Sequence, residues 1–233
     1  MIILTLIFKI VIMKLDLLKT NDGSFTLFLP EMNETYHSKF GAINEAKHVF
    51  IKEGFEYFLK NNKDNRISIL EIGFGTGLNT FLTFLKNAEL YGNVYYEAIE
   101  KYPLNDEIVK QLNYTETKEQ KHFFDFIHQE KWDEKIVVAE HFCLKKRNID
   151  LHHFQSDKKF DIVYFDAFAP DKQPEMWTHE VFEKIYKLMN RNGIIVTYSA
   201  KGSVRRTMQD VGFEMERIPG PPGKREMLRG FKS

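Results

Sequence analysis

From Arg66 to the end of the chain, short apolar runs of strand length alternate with stretches of helical period, and this alternation restricts the fold more narrowly than any other feature. Strands are expected near 67–72, 94–100, 137–146, 161–166 and 193–199, with helices near 77–88, 103–112, 178–190 and 203–211. Parallel strands joined by helices cross over with one hand, which covers both faces of a single sheet. The expected class is therefore α/β, with a mostly parallel, doubly wound, Rossmann-like sheet. Two antiparallel additions flank it. In "GFEMERIPGPPGKREMLRG", Phe213, Met215 and Met227 alternate on either side of a Pro/Gly turn and predict a closing hairpin. Near the start, alternating apolar positions from Leu15 to Pro30 flank "TNDGS", and the Asp-Gly pair signals a hairpin. Ile43, Ala46, Val49, Phe50, Phe58 and Leu59 then recur at helical spacing, in a helix expected to bend or break near Gly54. The division that follows is an appendage of hairpin and helix over 13–65 and a main domain over 66–233.

Lysine and arginine balance aspartate and glutamate at 33 each, so no global positive field marks the chain as a nucleic-acid binder, and any such contact must be local. The 43% hydrophobic and 28% charged residues are those of a soluble globular protein, and no apolar run reaches the roughly 20 residues of a membrane span. The single cysteine, Cys143, permits no internal disulfide and fits the cytoplasm. "MIILTLIFKIVI" is as apolar as a signal peptide, yet no basic residue precedes it and no small-residue cleavage site follows. Met13 comes next, so residues 1–12 are expected to be dispensable, the product of a start placed too far upstream. The eight histidines show no metal-ligand spacing, and no metal is expected.

The chemistry concentrates in two stretches. In "ILEIGFGTGLNT", Gly73, Gly75 and Gly77 follow a strand and precede a helix, where an open parallel sheet cradles its ligand. A dinucleotide fingerprint would place its third glycine where Leu78 stands, and a triphosphate loop would carry a lysine that is absent here. Glu71 at the strand end would repel a pyrophosphate and suit a cation. The next strand ends at Glu100, 23 positions after Gly77, where a ribose-binding acid belongs. S-adenosylmethionine, with a sulfonium, an ammonium and a ribose diol, answers both acids; a dinucleotide or an unliganded tight turn are the alternatives. The second stretch is "FDIVYFDAFAPDKQPEMW". Asp166 ends an apolar strand at the same sheet edge, and Pro170 and Pro174 hold an extended loop around it. Phe168 and Trp177 offer a flat wall for an aromatic substrate, with core packing as the alternative. From Lys201 to Ser233, eight basic residues face four acidic ones, a local positive segment in a neutral chain.

"YHSKFGAINEAKHVFI", "LEIGFGTGLNT", "EAIEKYPL", "YFDAFAPDKQPEMW" and "AKGSVRRTMQDVGFEMERIPGPPGKREML" together run in order from Tyr36 to Leu228. In these stretches the chain resembles the MnmC-type tRNA methyltransferases, which methylate an aminomethyl group on the wobble uridine. The resemblance implies a class I methyltransferase fold, with Glu71, Gly73, Gly75, Gly77, Asn79 and Glu100 around S-adenosylmethionine and Asp150 at the adenine edge. It places Asp166 at the acceptor amine as the catalytic residue and makes the tRNA anticodon stem-loop the partner, with Lys224 and Arg225 beside the "PGPPG" turn at its phosphates. Three departures bear on this. The family's best-known members add a flavin-dependent oxidase for which 233 residues leave no room, so methylation alone is expected. Ala167 stands where the family often has glycine, and Ile149 precedes Asp150 where a Gly-Asp pair is usual. Two other readings stay open: methylation of a different amine, and a catalytically silent subunit of an RNA-modification assembly, against which the acids at 71, 100 and 166 argue.

Overall fold

Residues 15–62, 65–90 and 92–233 are described by a computed structural model, in which the expected alternation forms one eight-stranded sheet. The N-terminal hairpin is present as β1 (Asp16–Lys19) and β2 (Phe25–Leu29), and β3 (Glu34–Thr35) joins it in a separate antiparallel sheet. The main sheet contains β4 (Arg66–Ile72), β5 (Asn93–Glu100), β6 (Lys135–Ala139), β7 (Phe142–Asn148), β8 (Phe160–Phe165), β9 (Met189–Thr197), β10 (Glu214–Pro219) and β11 (Glu226–Phe231). Their order is β10-β11-β9-β8-β4-β5-β7-β6. The five inner strands β7, β5, β4, β8 and β9 are parallel, and β6, β11 and β10 are antiparallel to their neighbours. The chain leaves β4 toward β5 and β7, then crosses back to β8 on its other side. That reversal opens a crevice beyond the carboxyl ends of β4 and β8, where open α/β sheets bind ligands.

Strand parity splits the core in two. In β8, Ile162 and Tyr164 enter one apolar cluster while Val163 and Phe165 enter the other, as successive side chains on a strand must. The first cluster is covered by a long helix made of α1 (Ala42–Ala46), a π-helical centre Lys47–Glu56 and α2 (Tyr57–Asn61), together with α3 (Leu78–Leu90), the short α4 (Asp106–Val109) and α5 (Lys118–Gln129). The second is covered by α6 (His179–Leu188), α7 (Gly202–Val211) and the 3-10 turn Pro174–Trp177. Side chains of the helix over 42–61, such as Val49, Phe50 and Phe55, share the first core with Tyr164 and Val196 of the sheet.

Four local expectations are corrected. The run over 137–146 is two strands: β6 turns at Glu140–His141 and pairs back antiparallel on β7 with a register shift between Val137 and Ala139. A period of two is the same before and after a tight turn, so alternation alone does not reveal it. The helix expected over 103–112 shrinks to α4, which starts at an Asn105 cap whose side chain accepts from Ile108 N at 2.9 Å. Helix α5 was not expected, although its start carries the Thr-x-x-Gln spacing of a helix cap: Thr117 Oγ1 accepts from Gln120 N, and Gln120 Oε1 reaches back to accept from Glu116 N, just before the cap. Gly54 does not break its helix. A Cβ there would stand 3.0 Å from Tyr164 Cε1 and 3.2 Å from Val196 Cγ2, so glycine lets the helix lie close on the sheet while the π-helical turns absorb the irregular spacing. The expectation for residues 1–12 falls outside the described residues. No helix among the described residues is long and apolar enough to cross a membrane.

Candidate active site

Beyond the carboxyl ends of β4, β5, β7 and β8 lies a cavity of about 520 Å³, and the glycine loop forms its floor. Gly73 N and Phe74 N both donate to Ile99 O at 3.0 Å, which turns the chain sharply off β4. At Gly73 φ is 94°, and a Cβ would come within 2.7 Å of Asp166 O, so only glycine lets the loop press against the end of β8. Gly75 N donates to Glu100 Oε2 at 3.0 Å, and Tyr102 N donates to Glu100 Oε1 at 2.8 Å. Glu100 is thus fixed at the cavity wall; burial raises its pKa, and the amide bonds oppose the rise. Asp150, after β7, lines the same end. Desolvation would raise its pKa, but His152 N at 2.9 Å, His152 Nδ1 at 2.8 Å and Lys101 Nζ at 2.9 Å win and hold it well below the usual carboxylate range.

Glu71 is not at the mouth of this loop. It shares parity with Ile67 and Ile69, so its side chain turns into the first core, fully buried and outside the cavity lining. Oε2 accepts from Thr80 Oγ1 at 2.8 Å, while Oε1 has no hydrogen-bond partner among the described residues. Burial, with Asp166 adding to it, pushes the pKa up to about 8. The fold therefore favours the neutral acid. The stabilisation this gives is complete below pH 4.5, the ordinary value, and is lost as pH rises toward about 8. Glu71→Gln keeps the shape without the titration, so the fall in melting temperature across that window should become shallower. An unchanged slope would place the titration on other groups. Gly77 also stands outside the lining; a Cβ there would meet His128 Nε2 at 2.7 Å.

At the other end of the cavity Asp166 leaves β8 with its N–H on Ile72 O at 3.0 Å and Oδ2 accepting from Asn79 Nδ2 at 2.9 Å. Burial first, then the charge of Glu45, pushes its pKa up to about 7, against Asn79 and Lys224, which lower it. Phe168 lines the cavity and meets Tyr36 edge-on at 5.2 Å. Trp177 is no wall of this cavity: it packs among Phe165, Phe182 and Tyr198, and its Nε1 donates to Phe168 O at 2.8 Å, fixing the loop from behind. Lys224, expected at a phosphate, is turned inward onto Glu45 Oε1 at 2.6 Å, with its Nζ 3.9 Å from the centroid of the Tyr198 ring.

With Lys224, half of the eight basic side chains of the positive segment are ion-paired. Lys201 pairs with Asp171, Arg217 with Glu226, and Arg229 with Glu53 and Glu216, while Lys232 donates to the carbonyls of Tyr186 and Met189. Arg206 and Arg225 are exposed and make no ion pair among the described residues. Glu216 and Glu226 were within the counted segment, whereas Glu45, Glu53 and Asp171 lie outside it and could not enter the count. Sequence reasoning also assigned no role to Tyr36, His37, Glu45 or Tyr198, which line the cavity. The first three fall in "YHSKFGAINE", part of a stretch that carries the family resemblance, and that was the available signal. His37 bridges Thr26 Oγ1 at 3.2 Å and Thr76 Oγ1 at 3.4 Å, and burial pushes its pKa down to about 4, so it ties the N-terminal sheet to the glycine loop as a neutral ring. No cluster of metal-ligating side chains occurs among the described residues.

Comparison with known proteins places the chain in a family. The family of S-adenosyl-L-methionine-dependent methyltransferases matches over residues 107–233. The tRNA 5-methylaminomethyl-2-thiouridine biosynthesis bifunctional protein MnmC of Leptospira interrogans is 34% identical, with 87% of this chain and 33% of that protein covered. The protein of the same name from Hydrogenovibrio crunogenus is 31% identical, with 85% and 31% covered. The chain spans about a third of the length of the curated relatives it matches. Among solved structures, MNMC2 from Aquifex aeolicus is similar with a TM-score of 0.78 at 26% identity, covering 94% of this chain and 70% of that one. Spermidine synthase from Thermotoga maritima, at 15% identity and a TM-score of 0.56 over 94% of this chain and 68% of that one, shares the fold.

Proposed function

The chain belongs to the S-adenosyl-L-methionine-dependent methyltransferase family, and we propose that it methylates the primary amine of 5-aminomethyl-(2-thio)uridine at the wobble position of tRNA, in the cytoplasm. The observation that carries this reading is the placing of Asp166, a carboxylate of raised pKa, in the same cavity as the glycine loop and Glu100. A methyl donor and a proton acceptor thereby share one space. The names of the relatives supply the acceptor.

The residues present fit the cofactor. Each oxygen of Glu100 uses one lone pair on a backbone amide and keeps another for a ribose hydroxyl. Ile99, Ile149 and Leu151 line the same end with apolar surface for a purine, and Asp150 stands at its edge. When bound, S-adenosylmethionine would supply the methyl as an activated electrophile, with its sulfur taking the electron pair of the broken carbon–sulfur bond as the acceptor nitrogen gains the methyl. The chain's own contribution is to the nitrogen. An ammonium has no lone pair, so Asp166 in its ionised form must take the proton, and Asn79 holds the carboxylate in place for that transfer. With a pKa near 7 the carboxylate gains this capacity as pH rises through neutrality. Phe168 and Tyr36 line the cavity and supply aromatic surface for a base splayed from a single-stranded loop.

Mass analysis of wobble nucleosides from cells lacking the protein tests the reading: aminomethyl-uridine should accumulate, and an unchanged profile would remove it. For the tRNA phosphates, exposed Arg225 is the better contact, since Lys224 is engaged within the cavity. Arg225→Ala should weaken tRNA binding and make its salt dependence shallower by about one unit in the log–log slope. S-adenosylmethionine affinity should be untouched, and an identical slope would return Arg225 to an ordinary solvated position.

A further inference from the structure

The acceptor end of the cavity is built to hold a cation. Glu45, on α1, is 6% exposed, and its Oε2 is fixed by Ser38 N at 2.7 Å. Tyr198, just after β9, is anchored by its hydroxyl, which donates to Ala167 O at 2.9 Å. Asp166 is held by Asn79 and makes no second side-chain hydrogen bond among the described residues. All three groups line the one cavity, and all are attached to regular elements or their ends. Two carboxylates beside an aromatic face are what an alkylammonium needs: charge-assisted hydrogen bonds on one side and a ring quadrupole on the other.

The cation now in this arrangement is the protein's own. Lys224 Nζ bonds Glu45 Oε1 at 2.6 Å and lies 3.9 Å from the Tyr198 ring centroid. Lys224 differs from the others in its attachment: it comes from the turn between β10 and β11, on a four-carbon stem with several rotatable bonds. The acids and the ring are fixed in place, while the cation can move. We propose that Glu45, Tyr198 and Asp166 form a recognition subsite for a primary alkylammonium, and that Lys224 is its intramolecular competitor, displaced when an acceptor amine enters. This inference deepens the amine-methylation reading above and rests on it for the identity of the natural ligand. The subsite selects an acceptor by its charged amine, independently of how the rest of the substrate is held.

Benzylammonium, with benzyl alcohol as its neutral counterpart, probes the subsite in the full chain with S-adenosylhomocysteine bound. By calorimetry, Lys224→Met should bind benzylammonium about tenfold more tightly than the unmodified protein, because no charged side chain then has to be displaced from Glu45. Benzyl alcohol should bind equally to both. Glu45→Gln should lose the preference for the charged ligand. In the unmodified protein, saturation with benzylammonium should move the NMR signals of the Lys224 ε-methylene toward those of a solvated lysine, a readout that needs no substitution. The proposal falls if folded Lys224→Met, with unchanged S-adenosylhomocysteine affinity, binds benzylammonium no more tightly and the Lys224 signals stay fixed. If ammonium selection is found while wobble nucleosides are unchanged in cells lacking the protein, the tRNA reading falls and the subsite stands. Aminomethyl-uridine accumulation without ammonium selection is the reverse result.

Discussion

Asp166→Asn should lower the single-turnover rate of methyl transfer by about 100-fold or more, the usual loss when a general base or a balancing charge is removed. The amide is the same size, and its oxygen can still accept from Asn79, so the end of β8 and the glycine loop should keep their geometry. Binding of S-adenosylmethionine and of tRNA should therefore stay within a few-fold of the parent, which places the loss in the chemical step. The pH profile separates this role from a structural one. With the Asp166 pKa near 7, the parent rate should rise through neutrality, and the variant should lose that limb while recovering part of its rate at higher pH, where more of the amine arrives deprotonated. The sign for stability runs the other way. A carboxyl whose pKa is raised by folding stabilises the fold most when protonated, so that contribution is lost as pH rises toward 7. The asparagine variant should accordingly melt no lower than the parent at pH 8. Near-normal turnover at neutral pH would make Asp166 only the cap of its strand.

Glu100→Ala should weaken S-adenosylmethionine binding by about one to two orders of magnitude, roughly the 1.5–3 kcal/mol of hydrogen bonds from a diol to a charged acceptor. Part of that loss would come from the loop itself, because Gly75 N and Tyr102 N both depend on this carboxylate. Glu100→Gln retains one oxygen for those amides and should fall between the two in affinity. Calorimetry showing unchanged affinity in folded Glu100→Ala would move the cofactor away from the end of β5.

The parallel sheet and its two hairpins were legible because their signals are local: period-two runs, helical spacing and Pro/Gly turns act over a few residues, whatever the rest of the chain does. Local chemistry also marked Gly73, Gly75, Glu100 and Asp166, which the structure brings to one cavity, since a residue at the carboxyl end of a parallel strand has its place set by strand length; Asp150 came from the family resemblance alone. Helix α5, with its cap at Thr117, and the inward turn of Glu71, set by its parity with Ile67 and Ile69, were written in the sequence as well but went unread. The tertiary structure alone decided the rest. Lys224 meets Glu45 across 179 positions, and Arg229 meets Glu53 across 176. Trp177 became core because β8 and the end of β9 bring Phe165 and Tyr198 beside it. An ion pair or a ring contact of this kind has no period and no fixed spacing. It exists only once the sheet order has brought distant segments together, so the charge of the C-terminal segment and the partner of Lys224 were set by topology.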